Sequence, residues 1–271
     1  MKTACRLFLS AGLLLAATAA ASAQQQPARP AAVRVNANVS SAPQAPAAPV
    51  VSGPPREYVL LTGGPSLTEW EKYKQTPHDQ FWGSFTRATR TRFQQIQAQQ
   101  GNDPNAVYTW LVFVDGYKAR GAQDHTDYVP LLNSVRDKYH LRMIPVSSGT
   151  QVIDYLNNGQ DRNRLKVVDF EYYGHSNRCC FMFDYSSNVD SASKNFMHED
   201  QLVNIRRNVF ARNAFVKSWG CHTGESMSKK FYDATGTRMI GAIGRTDYST
   251  RDEALNGIIP TLSSADGKWV Q

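Results

Sequence analysis

Nearly continuous apolar runs, separated by segments with helical spacing, are the feature that most limits the fold of this chain. Residues 106–117 are AVYTWLVFVDGY, residues 165–174 are LKVVDFEYYG, and residues 213–220 are NAFVKSWG. Such runs are typical of strands that are buried on both faces of a parallel sheet, with helices as the crossovers between them. We therefore predict an α/β fold with a mainly parallel sheet and helices on both faces.

The other segments fit this alternation. Further strands are predicted within 56–66, at 141–147 and at 238–248, and a hairpin arm is predicted at 179–186. Helices are predicted from Thr76 to about Gln100, at 126–139, at 149–159, near 198–205 and at 225–236. The TGGPS segment at 62–66 lacks the lysine of a phosphate-binding loop, so it is interpreted as a turn.

The N-terminal part of the chain is predicted to lie outside the folded domain. Residues 1–23 combine basic residues, an apolar core and an Ala-Ser-Ala cleavage site, which indicates a secretory signal peptide. Residues 24–56 are rich in Pro, Ala and Gln and lack acidic residues, so we expect a disordered linker. The protein is then secreted or periplasmic, with no membrane span, and residues 57–271 form one α/β domain. Within this domain we expect a helical region at 66–100 and a core at 106–248.

The charge of the chain gives little indication of a nucleic-acid partner. Lys and Arg number 30 against 23 Asp and Glu. The densest basic run, at 87–92, lies beside Phe85, Ala88 and Phe93, whose spacing is that of a helix with one solvated face. Because no aromatic-basic motif accompanies the charge, we expect no nucleic acid to bind.

Two reactive side chains each follow a glycine at the end of a predicted strand. His175 follows Gly174, and Cys221 follows Gly220. Sites in parallel sheets form beyond the carboxyl ends of the strands. Neighbouring strands lie about 4.8 Å apart, so the two side chains face one another if their strands are adjacent. His175 would then take the thiol proton of Cys221 and produce a nucleophilic thiolate.

Other features around Cys221 fit this hypothesis. A helix that begins near Glu225 would bring its positive end close to the sulfur. Gly220 and Gly224 would allow backbone N–H groups to approach a substrate carbonyl. The alternative is a structural role, with Cys221 as a small buried residue and His175 as a hydrogen-bonded loop residue. Because both side chains occupy the same kind of position, we favour the functional interpretation.

The order strand–Gly–His, hairpin, then strand–Cys-His-Thr-Gly resembles the caspase-like cysteine peptidases over about residues 106–248. The GCHTG segment at the cysteine is most similar to the metacaspases. The resemblance implies a caspase-like fold and hydrolysis of peptide bonds in a protein or peptide substrate, without a cofactor or metal. It also implies that Cys221 is the nucleophile, that His175 is the base, and that the backbone amides of Ser176 and Cys221 form the oxyanion hole.

Two positions depart from the family pattern. Ser176 replaces the glycine that usually follows the catalytic histidine, although its backbone amide is retained. Trp219 stands where metacaspases have an acidic residue two positions before the cysteine, which removes the main reason to expect cleavage after Arg or Lys. Asp115 is another source of negative charge, and we take Asp115 and Trp219 as candidate substrate-binding residues.

Alternatives to a peptidase stay open at the level of sequence. A binding or scaffolding domain could keep the fold without hydrolysis, since aromatic residues are frequent around the predicted site. A zinc site is a further alternative, because soft ligands cluster here, although adjacent Cys-Cys and Cys-His pairs lack the usual spacing. Its candidate ligands are His175, Cys179, Cys180, Cys221 and His222.

The cysteines raise a question of redox control. After removal of the signal peptide three remain, Cys179, Cys180 and Cys221, so at least one thiol is free or paired between chains. In an oxidising compartment, a disulfide between Cys221 and one of the other two would block attack. The alternative is a purely structural role, in which Cys179 and Cys180 are packed in the hairpin and unreactive. The sequence does not define the oligomeric state.

Overall fold

A computed structural model describes residues 53–67, 81–184 and 195–271. All of these residues belong to the unit Ala48–Gln271. The predicted signal peptide at 1–23, residues 24–52 of the predicted linker and the predicted helix start at Thr76 lie outside the described residues.

A five-stranded parallel sheet forms the centre of the described structure. Its strands are β1 (Arg56–Thr62), β2 (Ala106–Val112), β3 (Arg142–Pro145), β4 (Lys166–Tyr173) and β8 (Phe210–Ser218). The order across the sheet is β3-β2-β1-β4-β8. The chain therefore adds strands on one side of β1 and then continues on the other side, which places a topological switch point between β1 and β4.

Helices cover both faces of this sheet, which confirms the predicted α/β class. They are α1 (Ser84–Gln100), α2 (Val114–Asp124), α3 (Val129–Lys138), α4 (Gly149–Asn158) and α5 (Met227–Thr235). Consecutive apolar residues of the strands supply the two cores. Val59 and Leu61 pack in the cluster that contains α4 and α5, whereas Leu60 packs in the cluster that contains α1, α2 and α3.

The predicted helix over 76–100 is not continuous. Residues 81–83 form a turn, so α1 starts only after Gly83, although it ends at Gly101 as predicted. The Phe81 ring lies over Gly83, where an added Cβ would be 2.9 Å from ring atom Cε1. The missing side chain at this position allows the ring to approach, and the chain enters the helix from the turn.

The sequence suggested a single strand over the apolar run 106–117. In the structure β2 ends at Val112 and α2 begins at Val114. Gly116 of α2 packs directly on Gly64, which follows β1. A Cβ added at Gly116 would lie 2.8 Å from the Cα of Gly64. The pair of glycines thus holds the loop after β1 against α2.

The segment 238–248, expected as one last strand, forms two short ones. They are β9 (Gly241–Ile243) and β10 (Thr246–Asp247), separated by Gly244 in a left-handed conformation with φ 85°. β9 pairs with β14 (Lys268–Val270) and β10 with β13 (Thr261–Leu262), both antiparallel. A parallel bridge between Lys217 and Ile240 connects this segment to the edge of the main sheet.

A small antiparallel sheet follows β4 directly. It consists of β5 (His175–Ser176), β6 (Cys180–Met182) and β7 (Phe196–His198), and a 3-10 helix (Glu199–Asn204) follows β7. β6 and the 3-10 helix confirm the predicted hairpin arm and short helix, apart from residues 185–186, which lie outside the described residues. The remaining short strands are β11 (Arg251–Asp252) and β12 (Gly257–Ile258).

Candidate active site

The strands that carry His175 and Cys221 are neighbours. β4 and β8 pair in parallel, with Tyr172 opposite Ser218 near their carboxyl ends. The backbone N–H of Trp219 continues the ladder by donating to Tyr172 O at 2.9 Å. The adjacency on which the dyad hypothesis depends is therefore present, and both reactive residues lie at the same edge of the sheet.

The loops beyond these strands are in direct contact. Ser176 Oγ donates a hydrogen bond to the backbone oxygen of Cys221 at 2.6 Å. Gly220 makes this contact possible, since a Cβ added there would lie 2.2 Å from Ser176 Oγ. The position at which this chain departs from the family glycine thus joins the histidine loop to the cysteine loop.

His175 is buried, with 8 % of its surface exposed. Its Nε2 lies 2.8 Å from Ser66 Oγ, and its ring meets the Phe85 ring edge-on with centroids 4.9 Å apart. Ser66 belongs to the loop after β1, and His175 begins β5, which follows β4 after Gly174. Their contact therefore spans the switch point of the sheet, where ligands of open α/β sheets bind.

Cys221 is half-buried, and its sulfur contacts Thr246 rather than His175. The backbone N–H of Thr246 donates to Sγ at 3.4 Å, and Thr246 Oγ1 lies 3.5 Å from Sγ. Within the described residues, all hydrogen bonds of Sγ are with Thr246. The structure thus brings the two loops together, but the hydrogen bonds of the thiol and of Nε2 are to Thr246 and Ser66 rather than to each other.

The two backbone N–H groups predicted to form the oxyanion hole are those of Ser176 and Cys221. Asn177 N donates to Cys180 O, so in the alternating antiparallel ladder the N–H of Ser176 points away from β6. The N–H of Cys221 donates to no group among the described residues. Both amides flank the hydrogen bond between Ser176 and Cys221.

Two predicted contributions to the site are not seen. The N–H of Gly224 donates to Ala242 O at 2.8 Å, so it is engaged in the backbone rather than open to a substrate. Helix α5 begins at Met227 instead of near Glu225, and its first N–H groups donate to the carbonyls of Arg178 and Thr223. These amides are therefore not directed at the sulfur.

The two candidate substrate-binding residues lie in different surroundings. Asp115 is in the first turn of α2, where its exposed carboxylate pairs with Lys118 at 3.3 Å. Trp219 lies immediately before the cysteine loop, and its carbonyl accepts a hydrogen bond from Tyr248 at 3.1 Å. The Tyr248 ring contacts Phe85, the same ring that packs on His175. Trp219 is thus the candidate that the structure connects to the site.

A buried group of charges lies behind Trp219. The carboxylate of Glu171 is fully buried and accepts hydrogen bonds from Arg92 Nε, Trp219 Nε1 and Tyr173 Oη. Arg92 also pairs with Asp169, Nη2 to Oδ2, at 2.9 Å. Burial, together with the negative charge of Glu171, raises the pKa of Asp169 well above its usual range.

Lys217 completes this group from the neighbouring strand. Its Nζ lies 3.4 Å from the centroid of the Trp219 ring and 3.9 Å from that of Trp269. Burial lowers the pKa of Lys217 to about 8, with Glu171 opposing this shift and Arg92 adding to it.

The soft side chains near the site do not cluster around a point where a metal could bind. Among the described residues, no group of three or more His, Cys, Asp or Glu is arranged to hold a metal ion. His222 instead contacts Glu225, Nδ1 to Oε1, at 2.6 Å. Burial raises the pKa of Cys180 to about 11 and, with the neighbouring Glu199, that of Cys179. Both thiols therefore carry less thiolate at neutral pH than an ordinary cysteine and react more slowly. A disulfide between Cys221 and either of them stays a prediction.

Sequence reasoning misses three residues that shape the site: Ser66, Phe85 and Thr246. The sequence indicates a turn at Ser66 and a helix face at Phe85, and neither position carries a motif that indicates a contact with the histidine. Thr246 lies after Gly244, whose left-handed backbone turns the chain toward the cysteine loop. The glycine is the available signal for that turn, although the partner of the turn is set by tertiary packing.

Within the described residues, no helix is long and apolar enough to cross a membrane.

Comparison with family models, with curated proteins and with solved structures finds no match to this chain. The family of the chain is therefore not shown by comparison, and the caspase-like resemblance stays a prediction that rests on the two motifs and the site around them.

Proposed function

We propose that this protein is an exported, caspase-like cysteine peptidase that cleaves peptide bonds in protein or peptide substrates. The observation that carries the proposal is the 2.6 Å hydrogen bond from Ser176 Oγ to Cys221 O, which fixes the two strand-end loops against each other. The adjacency of β4 and β8 gives that contact a rigid base. A site built on strand ends is held more accurately than one built on free loops.

In this mechanism His175 takes the thiol proton of Cys221, and the thiolate attacks the carbonyl carbon of the substrate. The N–H groups of Ser176 and Cys221 stabilise the oxyanion of the tetrahedral intermediate. The protonated imidazole then gives its proton to the leaving amine, and a thioester forms on Cys221. Water, deprotonated by His175, attacks the thioester, releases the carboxylic acid and restores the thiol.

The free protein requires one rearrangement before the first proton transfer. Sγ contacts Thr246 while Nε2 contacts Ser66, so the side chain of Cys221 must change rotamer to reach the imidazole. Cys221 is half-buried, so part of the residue faces solvent rather than packed side chains. Catalytic hydrogen bonds that are absent in the free enzyme often form in the substrate complex.

The proposal is tested by incubating the purified protein with a mixture of denatured proteins and mapping the cuts. Cuts should disappear in Cys221→Ala and in His175→Ala, and should persist in Cys180→Ala, which removes a neighbouring half-buried thiol. A peptide-derived electrophile should label Cys221 and leave Cys180 unlabelled. Cuts that persist in both site variants would exclude the mechanism.

A second candidate function, a caspase-like binding domain without hydrolysis, is favoured by the surroundings of His175. The imidazole is 8 % exposed and its Nε2 is engaged by Ser66, so it resembles a structural histidine as much as a base. The labelling experiment separates the two candidates. Saturable binding of peptides without any labelling of Cys221 would favour the binding domain.

A further inference from the structure

A cavity of about 240 Å³ lies beside Trp219, between α1, the edge of the sheet and the loop after β12. Its apolar walls include Ala88, Phe215, Ile259 and Pro260. Its charged wall consists of Arg92, Glu171 and Lys217. The cavity therefore combines apolar walls with a group of charges.

The charged wall has a positive group, Lys217, that forms no ion pair with the described residues. Lys217 Nζ forms no hydrogen bond or ion pair with any residue that the structure describes, and it lies on the faces of Trp219 and Trp269. Aromatic faces attract a cation, but they do not replace the hydrogen bonds of its N–H groups. A half-buried ammonium group in this state is suited to bind an anion.

Glu171 does not supply that anion. Its carboxylate already accepts hydrogen bonds from Arg92, Tyr173 and Trp219. Arg92 donates hydrogen bonds from Nε to Glu171 and from Nη2 to Asp169, whereas its Nη1 has no hydrogen bond to the described residues. Lys217 Nζ and Arg92 Nη1 therefore both remain as donors for a ligand at the cavity.

We infer that this cavity binds a carboxylate group, with Lys217 and Arg92 as its donors and the apolar wall around its carbon stem. An acidic side chain of a peptide and a small free carboxylic acid share this chemistry. A phosphate dianion fits less well, because its second charge would face the carboxylate of Glu171. The raised pKa of Asp169 adds support, since a protonated Asp169 leaves the wall with a net positive charge.

The inference does not depend on hydrolysis by Cys221, so it is tested in the Cys221→Ala variant of the full chain. The probes are a blocked peptide Ac-Gly-Glu-Gly-NH2, its neutral analogue with Gln in place of Glu, glutarate and inorganic phosphate. Binding is followed by calorimetry and by tryptophan fluorescence, to which Trp219 and Trp269, both in contact with Lys217, contribute. At least one carboxylate probe should saturate, and it should bind at least about tenfold more tightly than the Gln peptide.

Lys217→Met keeps the apolar stem and removes the charge, and should weaken carboxylate binding by about tenfold or more. Lys229→Met is the matched control, because Lys229 is exposed on α5, where it pairs with Asp233, and its loss should change nothing. Binding of the Glu peptide alone identifies a side chain as the ligand, and binding of glutarate alone identifies a free acid. Equal affinity for the Gln peptide, stronger binding of phosphate, or full affinity in Lys217→Met would overturn the inference.

A measurement on unsubstituted Lys217 covers the case in which Lys217→Met does not fold. Reductive methylation of the Cys221→Ala protein, resolved by mass spectrometry, reports the access of reagent to each lysine. Saturating carboxylate probe should slow methylation of Lys217 several-fold and leave Lys229 unchanged. Equal rates with and without the probe would also overturn the inference.

Discussion

Replacement of Asp169 by Asn should change how the stability of the protein depends on pH. The Asp169 side chain is 7 % exposed, Oδ2 pairs with Arg92 at 2.9 Å, and Oδ1 has no hydrogen-bond partner among the described residues. Burial and the charge of Glu171 raise its pKa from 3.8 to about 8 in the folded protein. Between these two values the folded protein holds one proton that the unfolded chain releases.

The sign and size of the effect follow from proton linkage. Since the folded state binds more protons in this window, the free energy of unfolding falls as pH rises, by at most about 1.4 kcal/mol per pH unit. The destabilisation is absent below the unfolded pKa of Asp169, grows through the window, and is complete above the folded pKa. The asparagine side chain of the Asp169→Asn variant cannot titrate but keeps an oxygen for Arg92, so the variant loses this slope. Relative to wild type, Asp169→Asn should gain stability steadily from pH 5 to pH 7, by about 2–3 kcal/mol at most.

The measurement is urea unfolding of both proteins at intervals from pH 5 to pH 7. Asp154→Asn is the matched control, because it removes an exposed carboxylate on α4 and should follow the wild-type profile. Parallel profiles for wild type and Asp169→Asn would refute the assignment of a bound proton to this buried group.

Two further predictions concern the cysteine loop. Gly220→Ala should push Ser176 away, destabilise the protein by about 1–3 kcal/mol in urea unfolding and reduce labelling of Cys221, because the new Cβ would lie 2.2 Å from Ser176 Oγ. Adding Ser176→Gly should restore stability, and a double variant as unstable as Gly220→Ala would contradict the steric explanation. Thr246→Val should slow alkylation of Cys221 a few-fold, since it removes the hydroxyl 3.5 Å from Sγ, whereas Thr246→Ser should keep the wild-type rate. Equal rates in both Thr246 variants would show that the hydroxyl does not stabilise the thiolate.

The parallel sheet could be predicted because its strands are apolar at consecutive positions. Leu60 and Leu61 of β1 face opposite cores, and only burial on both faces makes such a run favourable. The run 106–117 shows the limit of this argument. An apolar run does not distinguish a strand that continues from a strand followed by a buried helix, and α2 begins inside it.

The site was predictable in its placement but not in its side-chain contacts. The glycines before His175 and Cys221 marked two strand ends, and parallel pairing of β4 with β8 brings them together. The hydrogen bonds from His175 to Ser66 and from Cys221 to Thr246 join segments 109 and 25 residues apart. Contacts over such separations depend on the packing of the whole domain, and no local pattern encodes them.

The surroundings of Trp219 lead to a prediction about which residue precedes the cleaved peptide bond. Metacaspase-like cleavage after Arg or Lys requires an accessible carboxylate near the cysteine. The structure does place a carboxylate against Trp219, that of Glu171, but Arg92 neutralises it and Lys217 lies on the indole face. A basic substrate side chain would meet two cations here, so we expect no preference for Arg or Lys before the cleaved bond. Mapped cuts in denatured proteins test this, and a set of cuts concentrated after Arg or Lys would show that another carboxylate, such as Asp115, serves the site.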